Sequence, residues 1–151
     1  IQKKLYQIDF QLNTQLIPTQ GIFFEGQVFD AYELTSKIIR SANSSIVLID
    51  NYINEDTLSH LSKKDKKVKA VLLTKNSSKA TSLDVKKANE QYGNFEIRYF
   101  EKSHDRFLII DNTTVYHLGA SLKDLGKKWF AFTKMNTESV ESILNALKKE
   151  E

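Results

Sequence analysis

The chain has no cysteine. That excludes a disulfide framework and a thiolate zinc site, and it fits a reducing cytoplasm. No apolar run approaches the length needed to span a membrane, no secretory signal is present, and no internal repeat is visible. The three histidines lack metal-ligand spacing, so neither a metal nor any other cofactor is expected. The sequence begins at Ile1 rather than methionine and therefore reads as a piece of a longer protein.

What is present is an ordinary globular balance in 151 residues, with 40% hydrophobic and 27% charged. That is one domain's length, enough to bury a core. Aromatic residues at 11%, nine of them phenylalanine, argue against disorder. A net charge of +3 with a pI near 8.9 permits a polyanionic partner, although a solubilising surface explains it equally well.

Residues 1–20 stand apart. Leu5, Ile8, Leu12 and Leu16 fall at spacings of three and four, and Pro18 and Gly21 end the pattern. This is either a linker or helix connecting to an upstream domain, or a helix laid on the core. From residue 21 to 151 strands and helices alternate. Ile22–Phe24 reads as a strand, and Val28 to Ala42 as a helix with one apolar face. Ile46–Ile49 is a strand, and Asn54 caps a helix through Leu58 and Leu61. Val68–Leu73 is a strand, and Ser82 caps a helix ending at Gly93-Asn94. Phe95, Ile97 and Tyr99 alternate as a strand. Phe107–Ile110, the turn Asp111-Asn112 and Thr114–Leu118 form a hairpin. Trp129–Thr133 is the last strand, and Val140, Ile143, Leu144 and Leu147 mark a terminal helix. Strands separated by helices imply an α/β domain with a mixed, largely parallel sheet and helices on both faces.

The chemistry concentrates in His104-Asp105-Arg106-Phe107-Leu108-Ile109-Ile110-Asp111. Were the strand extended from residue 104, His104 and Arg106 would share one face while Asp105 and Asp111 took the other. An imidazole beside a guanidinium suits a phosphate: the cation holds the non-bridging oxygens, and the ring attacks phosphorus or passes a proton. The bland reading is a histidine at a strand edge with Arg106 paired to a carboxylate.

This stretch resembles the H-x-K-x4-D signature of the phospholipase D superfamily, with Arg106 in place of lysine. The likeness extends upstream through Phe23-Phe24-Glu25-Gly26 and the strand ending at Asp50. Downstream it includes Val115-Tyr116-His117-Leu118-Gly119-Ala120-Ser121, so that it covers roughly residues 21 to 135. The resemblance implies a phospholipase D-like fold and a metal-independent phosphodiesterase acting through a phosphohistidine. With a single copy of the motif, the site would form at a homodimer interface. His104 would be nucleophile in one chain and general acid in the other, and Arg106 would clamp the phosphate. Asp111 would anchor the following turn.

Three departures bear on activity. Arginine is a planar fork where lysine is a point charge. No asparagine follows Gly119, so Ser121 would supply a hydroxyl instead. No carboxylate lies between Lys127 and Lys134 to orient a histidine, a role that Glu25 or Asp50 would take over. The alternative is a catalytically degenerate phosphodiester-binding or dimerisation module.

Lys123, Lys127 and Lys128 follow the glycine turn and form the candidate nucleic-acid surface. Trp129 and Phe130 beside them would stack on a base or pack into the core. Lys63, Lys64, Lys66, Lys67 and Lys69 either track a phosphate backbone or form a solvated loop. His117 would approach the site or be a hydrogen-bonded structural residue, and His60 is expected to be exposed. Lys123-Asp124-Leu125-Gly126-Lys127-Lys128 is similar to C-terminal tails of phage antirepressor-like bacterial DNA-binding proteins. That favours nucleic acid over lipid as partner and an upstream DNA-binding domain.

Overall fold

Apolar periodicity switches between two residues and three to four along the chain, and the elements follow it. The computed structural model describes residues 17–75 and 78–150. In order, they form β1 (Gln20–Phe23), α1 (Val28–Arg40), β2 (Ser45–Ile49), α2 (Glu55–Leu61), β3 (Lys69–Thr74), α3 (Lys79–Gln91), β4 (Phe95–Tyr99), β5 (Arg106–Ile110), β6 (Thr114–Leu118), a short 3-10 turn (Leu122–Asp124), β7 (Phe130–Lys134) and α4 (Thr137–Lys148). The connecting helix expected over residues 1–20 falls outside the described residues up to residue 16.

The starts of α2, α3 and α4 are set by side-chain caps, whereas α1 has none. The Asn54 side chain accepts from the backbone of Asp56 and Thr57, while Thr57 Oγ1 accepts from Asn54 N, closing a capping box on α2. The cap of α3 is Ser78, whose hydroxyl accepts from Thr81 N at 3.1 Å, and not Ser82. Ser82 N already donates to Ser78 O inside the first turn. The helix starts earlier than apolar periodicity implies because Thr81, a polar residue by type, is buried.

The seven strands form one sheet in the order β1-β7-β6-β5-β2-β3-β4. The sheet is mixed, with helices on both faces, but its parallel part is smaller than expected. Only β2–β3 and β3–β4 pair in parallel; β2–β5, β5–β6, β6–β7 and β1–β7 are antiparallel. The parallel neighbours are those joined through α2 and α3, because a parallel return needs a crossover. β5 and β6 are joined by a tight turn in which Asp111 and Asn112 both have φ 54, as primed hairpin turns require.

Alternation along each strand sends side chains to two cores. Ile46, Leu48, Ala70, Leu72, Leu108, Ile110, Tyr116, Leu118, Phe130 and Phe132 face α1, α2 and α3. Ile49, Leu73, Ile109 and Val115 face α4, where Val140, Ile143, Leu144 and Leu147 meet them. A single helix about 10 Å wide covers only part of a sheet whose strands are spaced about 4.8 Å apart. Over β1 and β7 none of the described helices covers this face, and Ile22 is 52% exposed and Ala131 exposed. No helix among the described residues is long and apolar enough to cross a membrane.

Candidate functional site

The strand directions bring one set of loops to one end of the sheet. The C-terminal ends of β1, β2, β3, β4 and β6 and the N-terminal ends of β5 and β7 all lie there, as the pairings Ile49↔Phe107, Arg106↔Leu118 and Phe23↔Phe130 require. Glu25, Asp50, His104, Arg106, Ser121, Lys123, Lys127 and Lys128 lie on these strand ends and loops. Asp111 lies at the opposite end, at the far terminus of β5.

His104 sits in a bend, because β5 begins at Arg106, so strand alternation does not carry it onto the face of Arg106. Ser103 makes the bend: its hydroxyl donates to Asp105 O at 2.8 Å, and its carbonyl accepts from Asn51 Nδ2 at 3.0 Å. The imidazole of His104 is exposed and has no hydrogen-bond or ionic partner among the described residues. Arg106 is half-buried. Its Nη2 donates to Gly119 O at 3.0 Å, and its Nε is buried without an acceptor among the described residues. No carboxylate among the described residues pairs with it, so the strand-edge ion pair of the bland reading does not form. Gly119 makes the Arg106 contact by approaching β7 closely: its N–H donates to Ala131 O at 2.8 Å, and a Cβ there would lie 2.9 Å from that oxygen.

The neighbouring carboxylates are engaged elsewhere. Asp105 lies 3.2 Å from His117 Nε2, and the His117 ring sits edge-on to Phe107 with centroids 5.5 Å apart. Asp50 is buried. It accepts from the Ser121 hydroxyl at 2.7 Å, from Leu122 N at 3.2 Å and from Tyr52 N at 2.9 Å. Asp50 and Ser121 are thus brought together as a clasp between the loops after β2 and β6. Neither touches a histidine in these bonds. Glu25 is exposed in the turn between β1 and α1. No group of three or more metal-ligating side chains occurs among the described residues.

Asp111 has a separate task. Its carboxylate accepts from Asn43 N at 3.0 Å, Ser44 N at 2.7 Å, the Ser44 hydroxyl at 3.0 Å and Ser45 N at 3.1 Å. Burial alone would raise its pKa, but these donors outweigh burial and hold the carboxyl below its usual range. It ties the α1–β2 turn to the β5–β6 turn.

Of the three candidate lysines, Lys123 and Lys127 share Asp124, at 2.8 and 3.6 Å, and Lys128 is exposed without an acidic partner among the described residues. The bond to Asp124 raises the Lys123 pKa and lowers that of Asp124. Phe130 is in the core, stacked on Phe23, whereas Trp129 is 68% exposed. The run from Lys63 to Lys69 leads into the N-terminal end of β3, opposite His104. Within it Lys64 is structural: its ammonium donates to Gly93 O at 2.9 Å and lies 4.8 Å from the centre of the Phe95 ring. His60 is not exposed as expected. It is half-buried 5.0 Å from Tyr32, and burial lowers its pKa. Sequence reasoning also missed the Asp105–His117 pair. Its signal was available, because Asp105 and Phe107 share strand parity and His117 follows on the paired strand.

No family model and no curated protein sequence matches the chain. Solved structures do. Nuc from Salmonella typhimurium, a phospholipase D family member, is 18% identical over 86% of this chain and 91% of its own, with a TM-score of 0.64. NucT from Helicobacter pylori is 14% identical over 86% of this chain and 93% of its own, with a TM-score of 0.60. TrmBL2, an archaeal chromatin protein whose structure shows a novel mode of DNA binding, is 17% identical over 99% of this chain and 61% of its own, with a TM-score of 0.53. Likeness at these identities concerns architecture, and by architecture the chain has a phospholipase D-like fold.

Proposed function

We propose that this domain binds phosphodiesters of nucleic acid at the end of the sheet marked by Arg106 and His104. One observation carries the reading. Arg106 is held by Gly119 O while its buried Nε lacks an acceptor, and the unpartnered ring of His104 stands two residues away. A guanidinium that stays charged and is incompletely bonded favours an anion with several oxygens. The exposed Lys128 and the net charge of +3 add the sequence-independent attraction that nucleic acid exploits. The architectural likeness to a DNA-binding chromatin protein supports nucleic acid as the polyanion.

Hydrolysis is the second reading, favoured by the accessibility of His104. In it, a ring nitrogen of His104 attacks phosphorus as the P–O bond to the leaving group breaks. His104 of a second copy gives that oxygen a proton, and water then releases the phosphoryl group from the first ring. Such a nucleophile needs an acceptor on its other nitrogen to fix the tautomer. Asp105 and Asp50 are bonded to other groups, so binding without turnover is the stronger reading.

Arg106→Ala should weaken oligonucleotide binding and reduce the slope of log K against log salt by about one. An unchanged slope places the phosphate contacts elsewhere. A generic aryl phosphodiester should show no His104-dependent turnover in excess chelator. Turnover that survives chelator and disappears in His104→Ala would replace binding by hydrolysis.

A further inference from the structure

A core would normally take side chains such as Phe24 and Trp129, yet they remain 43% and 68% exposed at the same end of the sheet as Arg106. They are not loose. Their rings meet at 4.7 Å with an interplanar angle of 89°, an edge-to-face contact that holds the indole in place while leaving most of it to solvent. Lys127 and Lys128 directly precede Trp129 and are exposed. The register Arg106↔Leu118↔Phe132 puts β7 two strands from β5, and Trp129 lies three residues beyond Phe132. Strand spacing and rise then set the Cα atoms of Arg106 and Trp129 roughly 14 Å apart. Parity sends Arg106 with Leu108 to the face of α1, α2 and α3, and Trp129 with Ala131 to the other. A ligand that reaches both crosses the rim of the sheet, a path that one short stretch of extended nucleic acid spans.

An aromatic face beside cations fits a base whose own faces are free, which a duplex does not offer along its length. We propose that Phe24 and Trp129 form a stacking platform for an unpaired base of a single strand whose phosphodiester is held at Arg106. This rests on the phosphodiester-binding reading and adds strandedness to it.

Trp129 is the only tryptophan, so its emission reports on the platform alone. The full chain is titrated with oligothymidine, an abasic deoxyribose-phosphate strand of equal length, and a blunt duplex. Oligothymidine should quench Trp129 and bind roughly ten- to a hundredfold more tightly than the abasic strand. Trp129→Ala, and separately Phe24→Ala, should shrink that difference with no change in far-ultraviolet circular dichroism. Equal affinity and equal quenching by oligothymidine and the abasic strand overturn the platform but leave phosphodiester binding standing. Equally strong quenching by the duplex also overturns it. Binding to none of the three removes both readings. Emission that shifts with protein concentration alone, together with dimers in sedimentation, would mean that a second copy covers the rings, and that too overturns the platform.

Discussion

A guanidinium stays charged at any physiological pH, so a buried Nε without an acceptor is a constant cost on the folded state. Arg106 bears that cost, whereas Asp111, five residues on, lowers the free energy of folding through four donors. The H-x-R-x4-D spacing singled out both residues in the sequence, and an anchoring role for Asp111 at the turn that follows it was legible as an expectation. The turn it grips was not, because Asn43, Ser44 and Ser45 lie 66 to 68 residues away in the chain. His60 was misjudged because polar neighbours on α2 gave no sign that Tyr32 of α1 would cover it. Asp111→Ala removes the acceptor for three backbone N–H groups and puts alanine at φ 54. A loss of about 2–4 kcal/mol is expected, seen as a fall in melting temperature of roughly 5–15 °C. Asp111→Asn keeps one oxygen and tolerates that φ, so about 1–2 kcal/mol is expected. The sign with pH follows from the depressed carboxyl. Its contribution is complete above the unfolded value of about 3.9 and is lost as pH falls through the lower folded value. Melting curves from pH 7 to pH 2 should therefore fall less steeply on the acid side in Asp111→Asn than in the parent chain.

Elements were easier to read than their pairing. β2, β3 and β5 are short apolar runs, and α1 carries its stripe at Ala31, Leu34, Ile38 and Ile39, so strand and helix follow from periodicity. Pairing direction does not, since it depends on where a connection lands. The six residues between β4 and β5 are too few for a crossover helix, and β5 joins the sheet beyond β2 in the antiparallel sense. Of Trp129 and Phe130, only strand parity separates the exposed ring from the buried one. The loop that carries Trp129 is fastened to the start of α1 by Gly126, whose carbonyl accepts from Gly26 N at 3.1 Å. With φ at 77° and an added Cβ only 2.4 Å from Val28 Cα, Gly126 has no room for a side chain. Gly126→Ala should cost about 3 kcal/mol or more, the sum of a strained backbone and an overpacked contact. Thermal unfolding checks this: a fall of less than about 3 °C would mean that the loop yields easily.

At the scale of the whole molecule, the sheet separates support from contact. The Asp111 clasp holds one end, and the loops bearing His104, Arg106, Ser121 and Lys128 occupy the other, with the length of β5 between them. The gathering of these loops was implicit in the strand order but absent from any single motif. Trp129 was a candidate stacking residue from its place beside Lys127 and Lys128, whereas its contact with Phe24 was not legible, because β1 and β7, which bring the rings together, lie far apart in the chain. Five residues at about 3.3 Å each place Arg106 and Asp111 roughly 17 Å apart, beyond the range at which substitutions usually couple. Asp111→Ala should therefore lower stability and leave the salt slope of oligonucleotide binding alone, at temperatures where the variant is folded. Arg106→Ala should reduce that slope. The two changes should add in the double variant, with a coupling energy below about 0.5 kcal/mol in denaturant unfolding and in binding. A larger coupling would mean that β5 transmits strain from its turn to its first residue, so that the clasp helps to aim the guanidinium as well as hold the fold.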